Sequence, residues 1–369
     1  MTPSKAETKS LYGGKPESGL SAYAYANARI RGMRSHLMKR GELDALIELG
    51  DSTKVVSALL NSAYAPEIEE STLQGRSTAN VDQGLNQSMV RAYRKVLGFI
   101  SPSGLGILET LLGRWDVFNV KTILRGKNMH LMPEDIEMGL VPVASLAPAD
   151  LEELSRVADV RAVVDTLATW RVPYAKVLGR AYPEFARTEN LAVLELAMDR
   201  YYFGWAGERL DGRTKDLRKA RQVLGVQTDT TNLLTVFRAQ KADMDPGVLE
   251  SYFMPGGMYV NKSLFTELAG KSDLDQVLDG LRRTQYGPPL EAVAQSYLEE
   301  NAISVFERAL EDHMMRKAVA MGIGDPFGVG IAISYLWAKA NEVTNLRVVV
   351  KGVASGLPEE RIRRELIVV

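Results

Sequence analysis

The apolar positions of residues 116–127, DVFNVKTILRGK, recur at three- and four-residue spacings. This spacing places them on one face of an amphipathic helix. The stripe consists of Val117, Val120, Ile123 and Leu124. The same skeleton returns at 229–240 (DTTNLLTVFRAQ) and at 342–353 (EVTNLRVVVKGV). The last stretch is rich in β-branched residues and favours a strand by propensity alone, but we predict a helix because its two counterparts are helical.

The three stretches align without gaps on an asparagine, and 232 − 119 and 345 − 232 both give 113. An acidic residue stands three positions before each asparagine and a basic residue six positions after it. The sets are Asp116, Asn119 and Arg125; Asp229, Asn232 and Arg238; and Glu342, Asn345 and Lys351. Repetition at a fixed period indicates a chain built from copies of one structural unit.

Other features recur at similar offsets. Pro133, Pro246 and Pro358 each stand at or near the predicted start of a short helix. A Val-Val/Leu-x-x-Leu pattern begins at residues 55, 163 and 277, and an acidic pair at 195/199 matches one at 307/311, with an echo at 82/86. We therefore predict an all-α protein of three similar helical lobes in tandem: 21–140, 141–252 and 253–369. They are called copies 1, 2 and 3 below. Residues 1–20 are predicted to be a polar, mobile tail.

Composition narrows the function without defining it. The chain has 369 residues, 46% of them hydrophobic, a net charge of −1 and no cysteine. The missing cysteines exclude disulfides and thiolate chemistry and are typical of a cytosolic protein. The balanced charge does not favour nucleic-acid binding. Two uncharged runs, 96–108 and 326–338, are shorter than the roughly 20 residues of a membrane span. The second of these is expected either to support an interface or to pack in the core.

Signatures of catalysis are sparse. None of His36, His130 and His313 stands at metal-ligand spacing from another histidine, so we expect structural roles for them. The tripeptide 270–272, Gly-Lys-Ser, lacks the glycine that a phosphate loop needs five residues earlier. The glycine-rich stretch 321–330 is expected to be a turn that leads into a helix. We predict no cofactor and no metal site.

The repeated acid–asparagine–base set allows two interpretations. The acid and the asparagine are one helical turn apart and share a face, so three such sets could form a proton or anion site. The structural interpretation is that each set fixes how a helix docks on its neighbours, and repetition favours it. An asparagine inside a helix is a mediocre helix former, which suggests that its amide bridges to an adjacent segment.

Three stretches also carry a resemblance to a known family. They are YAYANARIRGMRSHL, WDVFNVKTILRGK and DPFGVGIAISYLWAKANEVTNLRVVVKGVASGLPEERIRREL. They resemble the C subunit of archaeal A-type ATP synthases, whose eukaryotic counterpart is the d subunit of the vacuolar V-type ATPase. The resemblance covers about 21–369 and is most specific in the last third of the chain.

The resemblance implies a non-catalytic rotor component of three helical lobes around a pseudo-threefold axis, shaped as a funnel. Its closed end would rest on the membrane proteolipid ring and its open end would receive the D and F subunits of the central stalk. It would lie peripherally on the cytoplasmic face of the membrane and transmit torque during ATP synthesis or hydrolysis. As a hypothesis, Arg125, Arg238 and Lys351 contact the stalk, because equivalent positions in three lobes should face a common centre.

Two alternatives remain open on the sequence. One is a helical-repeat scaffold of a different cytosolic assembly, which would present a concave groove without affinity for proteolipids. The other is an enzyme within a helical fold, which would need a polar pocket with converging titratable groups.

Overall fold

The protein is all-α, as predicted. A computed structural model describes residues 21–73, 75, 77–242, 244–271 and 273–369, and among these residues there are 21 helices and no strand. The predicted tail at 1–20 and Ser272 of the Gly-Lys-Ser tripeptide lie outside the described residues.

Among the described residues, the predicted ranges of the three copies contain eight, six and seven helices. Copy 1 contains α1 (Ser21–Arg34), α2 (Arg40–Glu48), α3 (Ser52–Leu59), α4 (Ala65–Ser71), α5 (Thr78–Phe99), α6 (Pro102–Leu112), α7 (Arg114–Asn128) and α8 (Pro133–Glu137). Copy 2 contains α9 (Pro148–Arg156), α10 (Val160–Thr169), α11 (Ala175–Thr188), α12 (Ala192–Arg209), α13 (Lys215–Lys241) and α14 (Pro246–Glu250). Copy 3 contains α15 (Lys262–Ala269), α16 (Leu274–Leu281), α17 (Gly287–Glu291), α18 (Ala294–Glu300), α19 (Ser304–Ala320), α20 (Gly330–Ala354) and α21 (Glu359–Glu365).

Equivalent helices begin with the same local chemistry. The carboxylates of Asp51, Asp159 and Asp273 each accept a hydrogen bond from the backbone N–H three residues ahead, at 2.8–2.9 Å. This is an N-cap, which satisfies one of the free donors at a helix start. The apolar pattern seen in the sequence at 55, 163 and 277 then supplies the buried face of α3, α10 and α16.

The predicted helix at 342–353 is confirmed as the second half of α20, despite its β-branched residues. Burial outweighs propensity here, because α20 packs against α1, α2, α3, α5, α13, α19 and α21. In copy 1 the equivalent helix is divided into α6 and α7 at Gly113. A Cβ at Gly113 would lie 3.0 Å from the Trp205 ring, so the missing side chain permits this close approach.

Most of the uncharged run 326–338 is buried inside α20, so core packing is the main use of this run. Phe327, before the helix begins, is exposed. None of the helices described is long and apolar enough to cross a membrane.

The buried side chains form two hydrophobic cores. The larger core joins copies 1 and 2 with α20 and α21. The smaller core joins α15–α17 and α19 with the second half of α13. The long helices therefore carry side chains of one copy into the core of another, which ties the copies to each other.

Candidate functional site

The three repeated asparagines bind backbone in the same way. Each side chain is buried, donates to the carbonyl of the residue 22 positions ahead and accepts from the N–H of that residue. The contacts are Asn119 with Val141 (2.8 and 2.7 Å), Asn232 with Met254 (2.8 and 2.8 Å) and Asn345 with Ile367 (2.8 and 3.0 Å). A carboxamide has one donor side and one acceptor side and therefore matches a peptide residue. Each asparagine holds the segment that follows a short helix against a long helix.

The repeated acids bind backbone N–H groups of the following copy. Asp116 accepts from Ser145 (3.0 Å) and Leu146 (3.1 Å). Asp229 accepts from three consecutive residues, Met258, Tyr259 and Val260, at 2.9–3.1 Å. These bonds lie 29–31 residues ahead of the acid, so each carboxylate anchors the start of the next copy.

The repeated acid of copy 3 binds groups of copy 1 in the same way. Glu342 accepts from the backbone N–H of Met38 at 2.6 Å and from the Tyr64 hydroxyl at 2.6 Å. In copy 2, Asp229 accepts from the equivalent tyrosine, Tyr286, at 2.9 Å. The acids therefore link copy 1 to 2, copy 2 to 3, and copy 3 back to 1.

Burial shifts the pKa values of several charged side chains in this network. Burial raises the pKa of Asp116 and Asp229, and hydrogen bonds from the following copy partly oppose it. Burial lowers the pKa of Lys339, which donates to Tyr64 (2.7 Å) and Glu342 (2.8 Å). Opposite charges and hydrogen bonds make burial of such groups tolerable.

The three repeated bases form ion pairs between copies. Arg125 pairs with Glu195 at 2.6 Å, Arg238 with Glu307, and Lys351 with Asp82 at 3.3 Å. Each base is more than half exposed. The same head-to-tail order holds, since the base of copy 3 pairs with the acid of copy 1.

A second row of cations was missed in the sequence. Two positions after the asparagine, Lys121 pairs with Asp199 (2.8 Å). At the equivalent position in copy 3, Arg347 pairs with Asp82 and also donates to Asn86. Copy 2 has Leu234 there instead. Comparing this offset across the copies would have found both cations and the exception.

The C-terminal ends of α7, α13 and α20 present exposed apolar side chains. At equivalent positions stand Leu131, Met244 and Leu357, all exposed. The backbone N–H of each bonds to the carbonyl five residues back, at 2.9–3.0 Å, as in a Schellman cap. The repeated bases lie near these helix ends.

These groups act on one another and on backbone, so the arrangement defines a helical structural protein whose copies are held by polar contacts. In the part of the chain that the structure describes, no three acidic or histidine side chains are grouped to hold a metal.

Comparison with known proteins agrees with a structural role for this chain. The model of the ATP synthase (C/AC39) subunit family matches residues 26–365, and the chain belongs to this family. It is a non-catalytic component of an A/V-type ATP synthase.

Similar proteins cover almost the whole chain. The C subunit of the A-type ATP synthase of Methanocaldococcus jannaschii is 28% identical over 350 residues, 94% of this chain and 87% of that protein. The C subunit of the V-type ATP synthase of Deinococcus radiodurans is 29% identical over 344 residues, 93% of this chain and 91% of that protein. The C subunit of the A-type ATP synthase of Methanosarcina mazei is 26% identical, with 98% and 99% covered.

Proposed function

We propose that this protein couples the central stalk, formed by the D and F subunits, to the membrane proteolipid ring on the cytoplasmic face and transmits torque between them. The observation that carries the proposal is the closed set of contacts between copies, in which Glu342 and Lys351 of copy 3 return to copy 1. A body closed on itself resists shear between its parts, and torque transfer needs such a body with two partner surfaces.

The three-lobe arrangement belongs to this proposal. Residues 21–140, 141–252 and 253–369 form lobes related by a rotation of about a third of a turn, with Asn119, Asn232 and Asn345 superposing. The identical 22-residue offset of their hydrogen bonds supports it. In this view the repeated acids and asparagines are scaffold residues.

Binding to each partner tests the coupling role. The purified chain is mixed separately with a D–F complex and with detergent-solubilised proteolipid ring, and complexes are separated by size-exclusion chromatography. We expect a complex with each partner and a ternary complex with both. Binding to neither would instead favour a scaffold of a different assembly.

We further propose that Arg125, Arg238 and Lys351 contact acidic or polar surfaces of the stalk, because each is exposed near the helix ends that carry the apolar caps. Replacing all three with Glu should weaken D–F binding by about tenfold or more, since like charges across an interface repel. Unchanged binding would remove this idea.

The control keeps the number of charges reversed but moves them elsewhere. Three other arginines each form an ion pair with an acid four residues away on the same helix. They are Arg40, Arg161 and Arg316. Their triple reversal should leave D–F affinity within about twofold of the unmodified chain. Thermal unfolding of both triple variants separates loss of contact from loss of fold.

A further inference from the structure

The row of cations two positions after the repeated asparagine has no member at the junction between copies 2 and 3. At the first junction Lys121 pairs with Asp199, and at the third Arg347 pairs with Asp82. At the second, Leu234 occupies the cation position and Glu311 the acid position. Glu311 is exposed and forms no hydrogen bond or ion pair with the other residues that the structure describes.

Within the described residues, no cation forms an ion pair with Glu311. Arg238, on α13, pairs with Glu307, one turn from Glu311 on α19. Arg308 is paired with Glu365. Desolvation by the surrounding protein and the Glu307 charge raise the pKa of Glu311, and the Arg308 charge partly opposes them.

Glu311 lines a cleft of about 680 Å³ that is bounded by α7, α12, α13 and α19. Three further residues of its lining, Arg114, Gln227 and Thr230, each have a buried polar atom without a partner among the described residues. Gln227 Oε1 and Thr230 Oγ1 have no hydrogen bond within the described ranges, although the residues are only 9% and 7% exposed. Buried polar atoms are normally hydrogen-bonded, so these orphaned atoms and one unpaired acid in the lining of the same cleft indicate that the cleft is completed by something else.

The oxygen atoms of Glu311, Gln227 and Thr230 favour a donor with positive charge. A carboxylate and an amide oxygen only accept hydrogen bonds, and a hydroxyl can do so. Among the described residues of the cleft, the one other charged group without an ion pair is Arg114. It lies over the Trp337 ring at 4.5 Å, so the aromatic face meets its charge, while its Nε has no hydrogen bond to the other described residues. A partner that covered Glu311 without supplying a cation would bury an unpaired charge, which is costly.

We propose that this cleft receives a basic side chain of the stalk protein that seats on the chain, with Glu311 as its counter-charge and Gln227 and Thr230 as acceptors. The proposal rests on the proposed function and specifies one contact within it. It makes the junction between copies 2 and 3 the place where the stalk supplies the charge that copy 2 lacks.

Affinity for the D–F complex, measured by isothermal titration calorimetry at two salt concentrations, tests the proposal. Glu311→Gln should weaken binding about tenfold and reduce its salt dependence. Thr230→Val removes a hydroxyl without a partner, so it should leave thermal stability unchanged or higher while weakening binding about threefold. Leu234→Lys supplies the missing cation internally, and should raise stability and weaken binding as Glu311→Gln does.

Two controls separate contact from general charge effects. Glu184→Gln removes an exposed carboxylate of α11 outside the cleft and should change affinity less than twofold. Asp199→Asn breaks the internal pair with Lys121 and should lower stability more than affinity.

The outcomes are distinguishable. If Glu311→Gln and Thr230→Val bind D–F within twofold of the unmodified chain, the cleft contact is wrong while the coupling role stands. The same conclusion follows if Glu184→Gln weakens binding as much as Glu311→Gln. If the unmodified chain does not bind D–F, the coupling role fails and the cleft contact fails with it.

Discussion

Replacing the repeated asparagines with alanine tests the scaffold role most directly. Asn119→Ala removes the amide that donates to the Val141 carbonyl and accepts from its N–H. Both backbone groups are buried with Val141, so neither gains water when the amide is lost. Asn232→Ala does the same to Met254.

The magnitude follows from counting orphaned groups. A buried donor or acceptor left without a partner costs about 1–3 kcal/mol, so two cost about 4 kcal/mol for Asn119→Ala and for Asn232→Ala. Asn345→Ala should cost about half as much. The carbonyl of Ile367 also accepts from Asn341 at 2.7 Å, so only the Ile367 N–H loses its partner.

Thermal unfolding by circular dichroism gives the comparison. For a chain of this length, about 4 kcal/mol corresponds to a decrease in Tm of about 5 °C. Asn128→Ala, on the exposed side of the same helix as Asn119, is the matched control and should leave Tm unchanged or slightly higher. Hydrogen exchange should show faster exchange of the Val141 amide in Asn119→Ala.

The reasoning would be refuted by either of two results. One is a Tm for Asn119→Ala within about 1 °C of the unmodified chain, well short of the expected decrease. The other is a decrease in Tm for Asn345→Ala equal to or larger than that for Asn119→Ala. It would mean that the hydrogen bond from Asn341 to the Ile367 carbonyl does not compensate for the lost bond from Asn345.

Two further predictions concern packing and pH. Gly126→Ala should cost about 1–3 kcal/mol of stability in urea unfolding, because its Cβ would lie 2.5 Å from Ile136 Cγ1; Gly106→Ala, with open space around it, is the control. Adding Ile136→Leu should recover most of the loss, since copy 2 carries Ala and Leu at these positions, and no recovery would contradict the packing argument. Burial raises the pKa of Asp229, so the folded chain binds this proton more tightly and the contribution of Asp229 to stability falls as the pH rises above about 4. Asp229→Asn should lose that slope in urea midpoints measured against pH, and an opposite slope would mean that the hydrogen bonds from 258–260 outweigh burial.

The helical class could be read from the sequence because it depends on local periodicity, and the repeated polar sets could be read because they recur at a fixed offset. The 113-residue offset identified Asn119, Asn232 and Asn345 and suggested that each amide bridges a neighbouring segment. It did not reveal the bridged residues, which lie 22 positions ahead. Each asparagine contacts backbone, and because backbone is the same at every residue, the partner cannot be recognised by its residue type.

The three repeated bases show a different limit of prediction from the sequence. The sequence predicts a contact with a partner protein for Arg125, Arg238 and Lys351, and the structure shows each already paired with an acid of a neighbouring copy. The sequence also contains acids at nearly the same period, but it does not indicate which distant acid and base will pair until the helices are packed. The stalk contact of these bases stays a prediction.

The sequence by itself determined that this protein is helical and repeated, since spacing of apolar residues and recurrence of motifs are properties of the chain alone. Only the tertiary structure decided how copy 3 contacts copy 1. Glu342 reaches Met38 and Lys351 reaches Asp82, 304 and 269 residues away along the chain, and such contacts depend on the path of the whole backbone. The structure likewise decided that Glu311 stands without a cation among the residues it describes, because a missing partner is recognised only when the positions that could supply it are seen in space.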